Sequence, residues 1–179
     1  MPDQPQPSRA EALWAAVRKT PEKRPTPESM VRDLYGQTRR GSPNTKGAAA
    51  QLGVSQRTVQ RWLKQGMPKR SAAAENLTQQ HGSWRASPAG RRARLSTRRE
   101  SRLRNKGTQM VFYGKVRISA DERRRGTTVT IGPERMAQIL DAALAADDQL
   151  ALASLEEAFG EAFGGSVTLV EIDQLDTFG

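Results

Sequence analysis

The stretch that most restricts the fold is residues 45–64, TKGAAAQLGVSQRTVQRWLK. Ala49, Leu52, Val59 and Trp62 recur at helical spacing, and Gly53-Val54-Ser55 interrupts them. Gly53 suits a tight turn because it tolerates positive φ, and Ser55 suits the N-cap of the second helix. Small Ala49 lets the two helices cross closely, and Val54 plugs the corner. The pattern is that of a helix-turn-helix, whose second helix enters the major groove. Ser55, Gln56, Arg57, Gln60, Arg61 and Lys64 are then the expected DNA contacts. Gln pairs bidentately with adenine and Arg with guanine, while Lys64 suits phosphate. Two short helices around a glycine turn also occur in ordinary bundles, so the basic outer face carries the functional part of this reading.

Charge points the same way. The chain has 179 residues and a net charge of +10. Residues 133–179 hold one Arg and ten acidic residues, a net −9. Residues 1–132 hold 28 basic residues against nine acidic ones, a net +19. A front of that density calls for a polyanion, and nucleic acid is the usual one. The nine basic residues and single acid of 85–106 (RASPAGRRARLSTRRESRLRNK) read as an arm tracking phosphates. Its candidate contacts are Arg91, Arg92, Arg94, Arg98, Arg99, Arg102 and Arg104. Helix is possible from Arg91 onwards, but Leu95 and Leu103 are too sparse to define an apolar stripe, so the arm is expected to fold on DNA or to serve as a charged linker.

Several chemistries are excluded. The chain has no cysteine, which removes disulfides, thiolate metal sites and cysteine nucleophiles. Its single histidine, His81, rules out a multi-histidine zinc site and reads as an exposed loop residue. Trp84 reads as a base-stacking residue or a linker anchor. GSPNTKG, residues 41–47, lacks phosphate-loop spacing and reads as a loop with a helix cap. Asp121-Glu122 is read as pairing with Arg123, Arg124 and Arg125, and Asp147-Asp148 as helix capping. No metal or cofactor is expected. No apolar run approaches the ~20 residues needed to span a bilayer, and the N-terminus lacks a secretory signal. The expected location is cytoplasmic, on the nucleoid.

The division expected is a disordered tail over 1–9, a helical domain over 10–82, a basic arm over 83–108 and an α+β domain over 109–176, acidic from 133. Helices are expected over 10–19 and from Pro27, with Thr26 as its cap. In 110–118 Phe112, Val116 and Ile118 alternate with polar residues, and 127–131 (TTVTI) is β-branched, so two strands flank the eight-residue loop SADERRRG. Pro133 opens a helix bearing Met136, Ile139, Leu140, Ala143 and Leu144. A second helix carries Leu155 and Phe159, stops at Gly164-Gly165, and leads into a last strand, SVTLVEI. The order β-β-α-α-β gives a small sheet with both helices on one face.

GAAAQLGVSQRTVQRWLK, the Arg-rich arm, the FYGK strand, TTVTIGPERMAQILDAALAADDQL and the closing VTLVEID follow one another over residues 45–176. In that succession the chain resembles the telomere terminal protein family of Streptomyces and related actinobacteria, proteins covalently attached to the 5′ ends of linear replicons. The resemblance implies a protein primer rather than an enzyme. A protein hydroxyl accepts the first deoxynucleotide, and a partner polymerase supplies catalysis with Mg²⁺ and dNTP. It also implies a telomere-associated protein that recruits this chain. In the family the acceptor is a Thr in the loop between the two strands, and SADERRRG contains none. Ser119, Thr127 and Thr128 are the candidate acceptors; Tyr113 ranks below them. The alternative is a plasmid or phage transcription regulator with a C-terminal dimerisation domain. The acidic domain is expected to avoid DNA and to hold a protein partner or a second copy of itself.

Overall fold

A computed structural model describes residues 7–19, 24–118 and 120–178. It combines helices with one three-stranded antiparallel sheet, in two compact units: residues 23–90, and residues 1–22 with 91–179. The helical domain expected over 10–82 is corrected by this division. Helix α1 (Arg9–Arg18) belongs with the sheet, because Leu13, Trp14, Ala16 and Val17 join that core. The tail expected over 1–9 lies outside the described residues up to residue 6. Ser8 and Arg9 are ordered parts of the helix start, Ser8 capping the Glu11 amide.

In the 23–90 unit, α2 (Pro27–Tyr35) starts where Pro is tolerated, and Thr26 and Ser29 cap one another reciprocally. Asn44 accepts from the Gly47 amide at 3.0 Å and opens α3 (Thr45–Leu52). Gly53, with φ +65°, ends it in the left-handed region, and Ser55 opens α4 (Gln56–Gln65). The last helix is α5 (Ala72–Ala86). Met30, Val31, Ala48, Ala49, Leu52, Val59, Trp62, Ala74 and Leu77 form this unit's own core, with Val54 packed at its margin. His81 is corrected from an exposed loop residue. It sits on α5, buried, with Nε2 3.0 Å from Asp33 of α2 and its ring stacked on Trp84. Helix periodicity through QQHGSW turned it inwards.

Helix α6 (Pro88–Arg94) lies across the boundary between the units, and α7 (Thr97–Lys106) falls in the second. The arm is corrected in part: the helix possible from Arg91 onwards is present without DNA, so the segment is neither an arm that folds on DNA nor a mere charged linker. The physical reason is that Leu95 and Leu103, sparse as they are, are both buried in the sheet's core.

The sheet has the order β2-β1-β3, with β1 (Thr108–Ile118) central between β2 (Asp121–Ile131) and β3 (Val167–Phe178). Residues Met110, Phe112 and Val116 face α8 (Pro133–Leu144) and α9 (Asp148–Phe163), meeting Phe159 edge-on at 5.6 Å from Phe112. Asp147 caps α9 by accepting from the Leu150 amide. A Cβ on Gly114 would lie 2.2 Å from the Glu171 carbonyl oxygen, so glycine is required where the β1–β3 register shifts. The loop SADERRRG is corrected. Residues 121–126 continue β2, paired with β1 without a break from Ile118↔Asp121 to Thr108↔Ile131. Among the described residues no helix is long and apolar enough to cross a membrane.

Candidate nucleic-acid interface

Helix α4 is two-sided. Val59 and Trp62 are buried, whereas Gln56, Arg57, Gln60, Arg61 and Lys64 are all exposed. Arg57, Gln60, Arg61 and Lys64 recur at i, i+3, i+4 and i+7, one stripe along the solvent side. With Ser55, Thr58 and Gln65 they line a shallow groove of about 400 Å³. Among the described residues none is an ion-pair partner of Arg57, Arg61 or Lys64, so their donors are available to an anion. The Ser55 hydroxyl is already used: it accepts from the Thr58 amide at 3.1 Å and shares a 2.9 Å hydrogen bond with the Thr58 hydroxyl. Gln56 Nε2 donates to the Thr45 hydroxyl at 3.0 Å, tying the first turns of α3 and α4 together. Lys46, next in the chain and exposed, adds a cation that the sequence reading passed over. Exposed Arg39 and Arg40 were also passed over; the Gln37↔Pro43 bridge closes the loop that carries them. An Arg-Arg pair in a Gly-Ser-rich loop was the available signal.

The arm divides into inward and outward arginines. Arg91 is buried: it donates to the Ala143 carbonyl at 2.8 Å and to Asp148 at 2.7 Å, and its guanidinium lies 5.6 Å from the Trp14 ring. It thereby joins the Ala146 amide on a carbonyl near the end of α8 and pairs with the first residue of α9. Arg94 lies over the same Trp14 ring. Arg99 donates to the Val17 carbonyl and to the Thr177 hydroxyl, closing the end of α1; burial, and then neighbouring Arg102, push its pKa down. Arg104 joins Glu100 and Asp141, which push its pKa up. These four were expected on phosphate and are corrected to internal brackets: Arg91 and Arg104 meet the acidic helices, Arg94 meets α1, and Arg99 meets α1 and β3. Arg92, Arg98 and Arg102 remain exposed.

The candidate acceptors are not gathered in a loop. Ser119 lies outside the described residues. Thr127 and Thr128 sit within β2, opposite Phe112 and Val111, and point to opposite faces; Thr127 is half-buried and Thr128 exposed. Tyr113 is half exposed on β1 and covers Gly126. Around them the charges are mutually satisfied, Arg125 apart. Asp121 pairs with Arg123, Glu122 with Lys115 and Arg117, and Arg124 with Glu171 and Asp173. The expected pairing of Asp121-Glu122 with Arg123–Arg125 is thus corrected for Glu122, whose partners stand across the ladder on β1. Among the described residues no three acidic or histidine side chains converge as a metal ion would need.

Comparison with known protein families, curated proteins and solved structures finds no match to this chain.

Proposed function

We propose that the chain binds duplex DNA, using α3 and α4 as a helix-turn-helix with α4 in the major groove, and acts as a terminal protein at replicon ends. One observation carries the DNA reading: the Arg57–Gln60–Arg61–Lys64 stripe is exposed and makes no ion pair among the described residues. It stands on a unit, residues 23–90, with twelve basic residues against three acidic, a net +9. Unpaired guanidinium groups beside a glutamine suit base edges, and the lysine suits the backbone. Arg92, Arg98 and Arg102 supply further phosphate contacts.

As a primer the chain is substrate, not catalyst. A hydroxyl oxygen bonds to the α-phosphorus of a dNTP, pyrophosphate leaves, and the partner polymerase and its Mg²⁺ stabilise the developing charge. A recruiting protein at the DNA end is the other partner. Ser119 is the first candidate acceptor; in sequence it follows Ile118, the last residue of β1. Exposed Thr128 follows, and half-buried Thr127 ranks last.

A second reading, a DNA-binding regulator that never primes, is favoured by the β1–β2 ladder, which removes the long loop a priming hydroxyl would use. Incubation with polymerase, dNTP and Mg²⁺ followed by peptide mapping separates the two. Label on the Ser119 peptide is expected. Label surviving replacement of Ser119, Thr127 and Thr128 by Ala rejects the acceptor assignment, and DNA binding without any label favours the regulator.

A further inference from the structure

We propose that the free edge of β2 pairs antiparallel with the same edge of a second copy of this chain, Val129 facing Val129. This inference is independent of DNA binding and of priming. The sheet has one open side: β3 is flanked by α1, through Arg9 on the Leu169 carbonyl and Thr177 on the Ala16 carbonyl. Among the described residues, the backbone of β2 receives hydrogen bonds from β1 alone. Soluble proteins usually blunt such an edge with charge, proline or a bulge. The first half of β2, Asp121–Arg125, is blunted in this way. The second half, Thr127–Ile131, carries no charge and no proline, and its register with β1 runs without a bulge.

The unblunted half is complementary to itself. Centred on Val129, antiparallel pairing sets Thr128 opposite Thr130 twice on the exposed face. On the helix-covered face it sets Thr127 opposite Ile131 twice and Val129 opposite itself. Each is a β-branched or Thr–Thr pair of the kind that stabilises sheets. Centring on Thr127 instead would set Arg125 against Val129 and Arg123 against Ile131, placing charge over the core-facing side. The Val129 register also answers two unmet charges. Among the described residues Arg125 makes no ion pair, though its charge acts on Asp121, and its Nε is buried without a hydrogen-bond partner, while Glu134, at the start of α8, is exposed and makes no ion pair. Pairing carries Arg125 of each copy opposite the other's Pro133, beside Glu134. Two three-stranded sheets then become one six-stranded sheet.

The test is sedimentation equilibrium of the full chain without DNA, over a wide concentration range. The expected species is two 19.7 kDa chains. Thr128 and Thr130 are exposed, so charged substitutions there leave the fold intact, which circular dichroism checks. T128K/T130K sets like charges opposite each other across the two-fold, and loss of the dimer is expected. T128K/T130E sets opposite charges there, and the dimer is expected to persist. A wild-type chain monomeric at every concentration overturns the proposal, as does a T128K/T130K variant that stays dimeric. Monomeric behaviour of both variants overturns the register and the proposal with it.

Discussion

Arg91 and Arg92 are neighbours of identical chemistry with opposite fates. Arg91 is buried on Trp14, Ala143 and Asp148; Arg92 is exposed. Arg91→Ala removes two charge-assisted hydrogen bonds and is expected to cost about 2–4 kcal/mol in urea denaturation. Arg92→Ala should stay within about 0.5 kcal/mol. On DNA the order reverses: Arg92→Ala should flatten the salt dependence of affinity by about one unit of slope, and Arg91→Ala, refolded and bound, should not. No local signal separates the two, since a run of arginines does not say which of them another element will cover. The same holds for His81, whose burial depends on Asp33 of α2, 48 positions earlier in the chain.

At the scale of elements, α3 and α4 lie where the sequence places them, because their determinants are local: Gly53 at positive φ, Ser55 as cap, and a face of Val59 and Trp62. Arg57→Ala and Gln60→Ala should each reduce discrimination between DNA sequences by about 1–3 kcal/mol, read from competition binding. Unchanged preference in both would remove α4 from base recognition. Ser55→Ala should cost about 1 kcal/mol of stability through the lost cap. Strand β2 shows the opposite case. DERRRG has poor strand propensity, yet it pairs residue for residue with β1, and cross-strand ion pairs supply what propensity lacks. Arg123 holds the Asp121 carboxyl below the ordinary range; Lys115, then Arg117, do the same for Glu122. Carboxyls depressed in the folded state stabilise it above their unfolded pKa, and that contribution fades as pH falls. Amides at the end of this hairpin should therefore exchange faster below about pH 4, after correction for the intrinsic rate. Exchange unchanged across that range would mean the pairs contribute nothing.

For the whole molecule, tertiary packing redistributes the charge that the chain shows in linear order. The basic arm packs with the acidic helices, so residues 1–22 with 91–179 hold seventeen basic and sixteen acidic residues, close to neutrality. Residues 23–90 keep +9. The salt dependence of DNA affinity should accordingly follow the helical unit together with the arm's exposed arginines, Arg92, Arg98 and Arg102. Lys64→Ala is expected to lower its slope by about one, whereas Arg99→Ala and Arg104→Ala should leave it unchanged. A slope that fell instead with Arg99→Ala or Arg104→Ala would assign phosphate to those arginines and reject their role as internal brackets. Patterns closed within a few residues were readable from the sequence alone: caps, glycine turns, the apolar faces of α4, α8 and α9, and the alternation of β1. Only the tertiary structure decided the membership of α1, the inward turn of Arg91, Arg99 and Arg104, and the full length of β2. Each depends on a partner distant in sequence, whose burial or hydrogen bond outweighs the local preference of the residues that meet it.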